Sequence, residues 1–197
     1  MNTKNLTLIV IVVFVLLLGG CGCNSYNGLV KGDQSVQTAL SNIETNYQRR
    51  TDLYNSVIKV IEGSANFEKS TLKEVIAARA QATQVRLDVN DSTSLSKYQA
   101  AQAQLQGSFS RLMAVAEAYP DLKTTKQFEN FQTNIEGTEN RINVARRDYN
   151  TEVQSYNLKV KTFPNNIFAG MFGFHAKPYY KANPGSENAP DIDFNIK

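Results

Sequence analysis

Helix-breaking residues are almost absent from the middle of the chain. Between Asp33 and Ala169 the sequence contains three glycines, and no proline precedes Pro120. Ala, Gln, Glu, Lys, Leu and Arg, which cost little free energy in a helix, are frequent at the other positions. Apolar residues recur at steps of three and four along this stretch, the spacing that places them on one helix face. The sequence therefore predicts an all-α fold.

Turn signals divide this stretch into four predicted helices. They cover about residues 26–62, 67–89, 94–118 and 125–163. Polar residues that cap helix starts separate the earlier helices, and Tyr119-Pro120 separates the last two. Each helix carries an apolar seam, which is most regular in the first and the fourth. Four such helices joined by short turns predict an elongated antiparallel four-helix bundle.

An apolar segment precedes these helices and predicts attachment to a membrane. Residues 6–18 are apolar apart from one threonine, and no charge occurs between Lys4 and Lys31. Counted to Cys23, the run reaches the short end of the ~17–25 residues that a spanning helix needs. It also resembles the apolar core of a signal peptide, although no Ala-x-Ala cleavage site follows it.

Two modes of attachment remain open. One is an uncleaved signal anchor that crosses the membrane once. The other is a bacterial lipoprotein signal, because Leu18-Gly19-Gly20 places small residues before Cys21, the candidate lipidation site. Lys4 lies before the apolar run, so the N-terminus is expected to stay in the cytoplasm. Both modes therefore predict a domain exported from the cytoplasm and held at the cytoplasmic membrane.

Composition changes define three regions. Residues 1–23 form the signal anchor or lipoprotein signal, residues 24–164 the helical bundle, and residues 165–197 an aromatic-rich C-terminal tail. Disordered segments contain few aromatic residues. The first half of the tail is therefore expected to pack against the bundle or to lie at the membrane interface, whereas residues 182–197 have the composition of a mobile end.

The residue counts exclude several kinds of functional site. One histidine and two cysteines are too few for the usual zinc sites, for a disulfide framework or for most nucleophilic mechanisms. A net charge of +3 is too small to indicate nucleic-acid binding. We therefore expect no catalytic residue, no metal and no cofactor, and predict that the chain is not an enzyme. A hydrolase that uses scattered carboxylates is the weaker hypothesis, and it requires two carboxylates in one pocket.

Several charged residues lie on or beside the predicted apolar seams. These residues are Arg50, Asp52, Arg79, Glu139, Arg141 and Arg146. One hypothesis is a polar binding site inside the bundle, for example for an anion. The favoured hypothesis is an interhelical polar network, in which buried ion pairs fix the register of neighbouring helices.

Several short motifs follow one another in a characteristic order. They are Tyr26-Asn27-Gly28-Leu29-Val30, Gln48-Arg49-Arg50-Thr51-Asp52-Leu53, Ala78-Arg79, Ala118-Tyr119-Pro120-Asp121-Leu122, Glu136-Gly137-Thr138-Glu139-Asn140-Arg141-Ile142 and Ala145-Arg146-Arg147-Asp148-Tyr149-Asn150. Their order and spacing resemble the LemA family of membrane-anchored bacterial proteins over about residues 26–175. The chain departs from the family at Phe67, where relatives often have histidine. The resemblance implies a four-helix bundle outside the cytoplasmic membrane with no established enzymatic activity.

These features together predict a non-enzymatic, membrane-tethered helical scaffold or interaction protein of the bacterial cell envelope. The alternative is an adaptor or substrate-binding accessory of a membrane enzyme such as a protease. The expected partners are the membrane and an unidentified envelope protein, and nucleic acid is not expected. Self-association into a homo-oligomer is left open.

Overall fold

The computed structural model describes residues 3–63, 68–119 and 126–181. Five α-helices occur in this part of the chain, and it contains no strand. They are α1 (Thr3–Glu62), α2 (Lys69–Gln84), α3 (Ser92–Ala116), α4 (Lys126–Lys161) and α5 (Asn165–Phe172). The all-α class is therefore confirmed. Phe67, Pro120 and residues 182–197, on which parts of the sequence analysis rest, lie outside the described residues.

Helix α1 is longer than the sequence analysis predicted. It begins at Thr3 rather than near residue 26, and it ends at Glu62 as expected. The apolar segment and the predicted first helix are continuous, although Gly19, Gly20 and Gly22 lie between them; no proline does. No helix in the described part of the chain is long and apolar enough to cross a bilayer. The single-pass anchor stays a prediction.

Helix α2 ends five residues before the predicted position. Its last residue is Gln84, and Val85 is already extended, with φ −77° and ψ 116°. The Ser94 hydroxyl donates a hydrogen bond to the Arg86 carbonyl at 2.8 Å and accepts one from the Asp88 N–H at 3.0 Å. In a longer α2, the Arg86 carbonyl and the Asp88 N–H would instead form hydrogen bonds within the helix. Propensity alone does not indicate this arrangement.

Helix α3 begins and ends two residues earlier than predicted. The Asp91 carboxylate accepts a hydrogen bond from the Thr93 N–H at 2.8 Å, the usual arrangement for a helix N-cap. Helix α4 ends at Lys161, two residues before the predicted end. The short helix α5 follows it after the cis peptide bond between Phe163 and Pro164.

The chain folds into two compact units. Unit 1 comprises Met1–Asn46 and Asn140–Tyr179, and unit 2 comprises Tyr47–Glu139 and Tyr180–Lys197. Helices α1 and α4 contribute residues to both units. Helix α5 belongs to unit 1, whereas α2 and α3 belong to unit 2.

Four helices share one apolar core in unit 2. Its buried residues are Tyr54, Val57, Ile58, Ile61, Val75, Ala78, Ala82, Ala101, Leu105, Phe109, Leu112, Ala116, Phe128 and Phe131. Aromatic rings join three of the helices. The rings of Tyr54 on α1 and Phe109 on α3 are stacked with centroids 3.7 Å apart, and Phe131 on α4 lies 5.3 Å from Phe109. Burial of these rings is a large part of the stabilisation of unit 2.

Helix α5 packs against α1 in unit 1. The Ser25 hydroxyl donates a hydrogen bond to the Asn165 side-chain oxygen at 2.7 Å. Gly22 allows the Phe168 ring to approach α1, since a Cβ at this position would lie 3.2 Å from that ring. Tyr26 meets Phe172 edge to face, with ring centroids 5.0 Å apart. These contacts support the expectation that the first half of the tail packs against the helices.

Candidate functional site

Unit 2 contains a fully buried arginine. Arg50, on α1, is 0% exposed. Its Nη1 donates a hydrogen bond to Glu139 Oε1 on α4 at 3.2 Å. Its Nη2 donates to the backbone carbonyl of Gln102 on α3 at 3.2 Å and to the side-chain oxygen of the same residue at 2.7 Å. One guanidinium group therefore connects three helices.

Two tyrosines on α1 complete the surroundings of this guanidinium. The Arg50 Cζ lies 4.6 Å from the ring centroid of Tyr47 and 5.8 Å from that of Tyr54, both within the range of cation–π attraction. A guanidinium does not lose its proton in proteins, so Arg50 is unsuited to acid–base catalysis. The Glu139 carboxylate also neutralises the positive charge of Arg50, which an anion would need for binding. The geometry therefore favours a role in fixing helix register.

The remaining charges of the predicted network lie elsewhere. Asp52 is exposed and accepts a hydrogen bond from Gln48 of its own helix at 2.9 Å. Arg79 is half-buried on α2 in unit 2, whereas Arg141 is exposed and Arg146 half-buried on α4 in unit 1. The structure thus joins two of the six residues, Arg50 and Glu139, in one ion pair.

Gln102 is a member of this cluster that the sequence analysis missed. It is 5% exposed and supplies both of the acceptors for Arg50 Nη2. A signal was available, because Gln102 lies beside the apolar seam position Ala101, and three residues before Leu105. A buried amide at such a position requires a polar partner.

An open groove in unit 2 adjoins the arginine cluster. It has a volume of about 520 Å³. Its lining residues are Tyr54, Gln106, Phe109, Ser110, Met113, Ala114, Glu117, Phe128, Phe131, Gln132, Ile135, Glu136 and Glu139. The stacked pair Tyr54 and Phe109 is among the lining residues, but both side chains are buried in the core of unit 2. Three carboxylates and no basic residue are among the lining side chains, so the groove is of mixed polarity with a negative rim.

This combination of surfaces suits a peptide segment better than a small anion. The half-buried apolar side chains of Met113 and Ile135 provide binding free energy, and the exposed carboxylates select a partner of positive charge. The groove also contains two neighbouring glutamates, Glu136 and Glu139, as the hydrolase hypothesis requires. Glu139, however, is bound to Arg50 at 3.2 Å. Among the described residues, no group of three His, Cys, Asp or Glu side chains could hold a metal ion.

Tyr54 is a neutral component of this groove at physiological pH. Burial raises the pKa of its hydroxyl to about 12, although the positive charge of Arg50 acts in the opposite direction. The phenol is therefore protonated throughout the physiological range. It contributes ring surface and a hydroxyl group rather than a nucleophilic phenolate.

Comparison with known proteins identifies the family of the chain. The family model described as "LemA family" matches residues 39–194. The chain belongs to the LemA family. Its relatives include magnetosome protein MamQ 2 of Paramagnetospirillum magneticum, which is 25% identical over 181 residues, covering 82% of this chain and 66% of the relative. Protein LemA of Metamycoplasma hominis is 27% identical over 157 residues, covering 80% of this chain and 69% of the relative.

A further relative is magnetosome protein MamQ of Magnetospirillum gryphiswaldense, which is 22% identical over 181 residues. The alignments with the MamQ proteins span 66% of their length, just under two thirds. The family match confirms the resemblance seen in the motifs of the sequence. At the candidate lipidation site, Cys21 of this LemA-family chain is a free, exposed thiol on α1.

Unit 1 of this LemA-family chain contains a second buried cation. Lys177, in the tail, is 5% exposed, and its Nζ lies 2.5 Å from Asp33 Oδ1 on α1. The Asn157 side chain on α4 donates to the Lys177 carbonyl at 2.9 Å and accepts from the Lys177 N–H at 2.8 Å. The sequence analysis did not single out these residues, because their contacts bring together distant parts of the chain.

Replacement of Asn157 by alanine is expected to release the tail locally. Asn157→Ala removes both hydrogen bonds to the Lys177 backbone and leaves buried polar groups unpaired, at a cost of about 1–3 kcal/mol. Amide exchange should accelerate in residues 173–179, with little change in α2 and α3. Asn46→Ala is the control, since that amide bonds only to the Asn42 carbonyl of its own helix in the described contacts. Equal exchange in the two variants would contradict the expectation.

Proposed function

We propose that this LemA-family chain is a non-enzymatic, membrane-tethered interaction protein of the bacterial cell envelope. The observation that carries the proposal is the groove of unit 2, which combines the half-buried Met113 and Ile135 with the exposed carboxylates of Glu117 and Glu136. The four helices that share the core of unit 2 support a four-helix bundle as its frame. The antiparallel arrangement and the elongated form are part of the proposal.

The tether is the apolar N-terminal segment. Residues 6–18 and the preceding Lys4 support a signal anchor with the helical domain on the exported side of the cytoplasmic membrane. Membership of the LemA family supports membrane association. The lipoprotein alternative at Cys21 predicts cleavage before this residue and a mass increase from the lipid. The intact mass of the protein purified from membranes distinguishes the two.

The proposed occupant of the groove is a segment of another envelope protein. Such a segment carries apolar side chains that contact Met113 and Ile135, and Lys or Arg side chains that pair with Glu117 and Glu136. Glu139 is already paired with Arg50. Complementary charge favours this partner over an acidic one, because like charges across an interface cost several kcal/mol. A single dominant partner would make the chain an adaptor, and a membrane enzyme such as a protease would be one such partner.

Site-specific photo-crosslinking in intact cells tests the groove. A photoreactive amino acid replaces Gln132, which lines the groove, or Gln81, an exposed glutamine on α2 outside it. We expect one dominant crosslinked protein from position 132 and none from position 81. Equal crosslinking at both positions, or none at 132, would exclude the groove as the contact surface. A crosslink to a second copy of the chain would replace the envelope partner by self-association.

Charge reversal in the groove tests whether the same partner is positively charged. The double variant Glu117→Lys/Glu136→Lys is expected to lower the crosslinking yield from position 132 roughly tenfold, because it places positive charge opposite a basic segment. Glu62→Lys is the control, since Glu62 is exposed at the end of α1 and does not line the groove. An unchanged yield in the double variant would show that the partner is not basic. Circular dichroism verifies that each variant is folded.

A further inference from the structure

Helix α5 exposes apolar side chains on one side. Ile167 and Met171, one helical turn apart, are 53% and 73% exposed. Phe163, just before the helix, is 80% exposed. We call these three side chains the α5 apolar face. Single exposed hydrophobic residues are common on proteins, but a cluster of large ones within nine positions indicates a surface that contacts another apolar phase.

The opposite side of α5 is held by α1. Ala169 is 1% exposed, the Phe168 ring lies over Gly22, and Asn165 accepts the hydrogen bond of Ser25. The helix is therefore docked, and its orientation in unit 1 is fixed by specific contacts. The α5 apolar face is what remains exposed after this docking.

The position of α5 along α1 places this face near the proposed membrane boundary. Its contacts fall on residues 22–26 of α1, and the apolar run of the sequence covers residues 6–18. Both belong to one continuous helix. At ~1.5 Å per residue, Gly22 lies only about 6 Å beyond Leu18 along the helix axis. A bilayer that holds the apolar run would thus have its headgroups at the level of α5.

The charged residues nearest to this face along the chain are lysines, although Lys31 also shares a groove with Asp148 and Glu152 of α4. Residues 153–179 contain three lysines and no Asp or Glu, and residues 5–32 of α1 contain Lys31 as their one charged residue. Lys177 is paired with Asp33 inside unit 1, so it neutralises that carboxylate. Lys31 and Lys161 are exposed, and Lys159 is half-buried. Such a surface complements anionic lipid headgroups and would repel another cationic surface.

We propose that the α5 apolar face and the neighbouring lysines dock onto the surface of an anionic lipid bilayer. The three apolar side chains enter the headgroup boundary, and Lys31, Lys159 and Lys161 contact the lipid phosphates. This contact rests on the proposed tether and goes beyond it. Unit 1 is then attached to the membrane at two points, which fixes its orientation. With the N-terminal helix alone, unit 1 would be free to rotate.

Fluorescence from a single introduced tryptophan tests the contact, because the chain contains no tryptophan. The full chain with Met171→Trp is reconstituted into vesicles of equal parts phosphatidylcholine and phosphatidylglycerol, with or without brominated acyl chains. The control is Ile76→Trp, at a 40% exposed apolar position on α2 in unit 2. We expect brominated lipid to quench the Met171→Trp variant strongly and the Ile76→Trp variant only weakly. Quenching of the Met171→Trp variant should decrease when phosphatidylcholine alone is used.

Vesicle flotation separates the failure of this inference from failure of the tether. Flotation of the Met171→Trp variant without quenching of its fluorescence would overturn the α5 contact and leave the tether intact. Absence of flotation would overturn both. Equal quenching in the two lipid compositions would overturn the role of the lysines. A blue shift of this variant's emission that grows with protein concentration in solution, without quenching in vesicles, would assign the face to a second copy instead.

A serine pair provides a second check, in which the probe is kept at another position of the contact. Ile167→Ser/Met171→Ser, introduced with Phe163→Trp as the reporter, should lose most of the quenching at position 163. Ile76→Ser with the same reporter should retain it. Because the changed side chains are exposed, both variants are expected to fold, and circular dichroism verifies this. Equal quenching in the two variants would contradict the proposal.

Discussion

Replacement of Arg50 by alanine is expected to destabilise the protein by about 3–5 kcal/mol, the range found when one member of a buried charged cluster is removed. The side chain is 0% exposed and supplies three hydrogen bonds, so its removal leaves Gln102 without a donor and Glu139 without its cation. It also leaves a cavity beside Tyr47 and Tyr54. Urea unfolding followed by circular dichroism measures the change.

The neighbouring residue supplies a matched control for this prediction. Arg49 has the same chemistry and is exposed on the same helix, so Arg49→Ala should change stability by less than about 0.5 kcal/mol. Arg50→Lys should fall between the two, because an ammonium keeps the charge and loses the planar fork that reaches Gln102 and Glu139. Similar losses from Arg49→Ala and Arg50→Ala would show that burial of the guanidinium contributes little.

Alkaline pH is expected to unfold the protein between about pH 10 and pH 12. Burial raises the pKa values of Tyr54, Tyr149 and Tyr156 from 10 to about 12. The unfolded chain loses these protons first, so the stabilisation is fully present below pH 10 and is lost as the pH rises through 12. Each tyrosine contributes on the order of 2 kcal/mol to this loss. Unfolding free energies at several pH values, with tyrosinate absorbance, measure it.

Single phenylalanine variants isolate each contribution. Tyr54→Phe removes a titrating group from the core, so the loss of stability from pH 9 to pH 12 should be smaller than in the parent chain by on the order of 2 kcal/mol. Tyr179→Phe is the control, because Tyr179 is 46% exposed. Identical pH profiles for Tyr54→Phe and the parent would refute the assignment of the alkaline transition to this residue.

We expect Arg50 and its partners to affect the proposed function by supporting the groove rather than by catalysing a reaction. Glu139 both binds Arg50 and lines the groove, and Tyr54 lies beside Arg50 and also lines the groove. We propose that Arg50, through its bonds from α1 to α3 and α4, holds these helices in register and thereby maintains the shape of the groove. We expect Arg50 variants to lose partner binding together with stability, whereas Glu117 and Glu136 variants lose binding alone.

The elements that sequence patterning predicts well here are those governed by local rules. The end of α1, the cap of α3 and the all-helical class follow from breaker positions, capping residues and apolar spacing. The boundaries that were wrong depend on contacts between residues far from a helix end. Helix α2 ends at Gln84 because Ser94 binds the backbone of Arg86 and Asp88, which no propensity scale contains.

The candidate site shows the same division. Sequence alone placed Arg50 and Glu139 on or beside the apolar seams, and the structure pairs them. It equally suggested Asp52 and Arg141, which are exposed. Rotation of a helix about its own axis by tens of degrees moves a charged side chain beside the seam from the core to the solvent. Side-chain packing decides that rotation, so spacing cannot separate the two outcomes.

The amino-acid sequence by itself determined the helical class, the family and the apolar N-terminal run, because helix propensity, motif order and hydropathy are properties of consecutive residues. Only the tertiary structure decided which charges are buried, where a groove opens in unit 2 and which side of α5 stays exposed. These features depend on residues distant in the chain, such as Ser25 with Asn165 or Arg50 with Gln102. The free energy of these contacts arises from side-chain packing and desolvation, which occur only when the helices assemble.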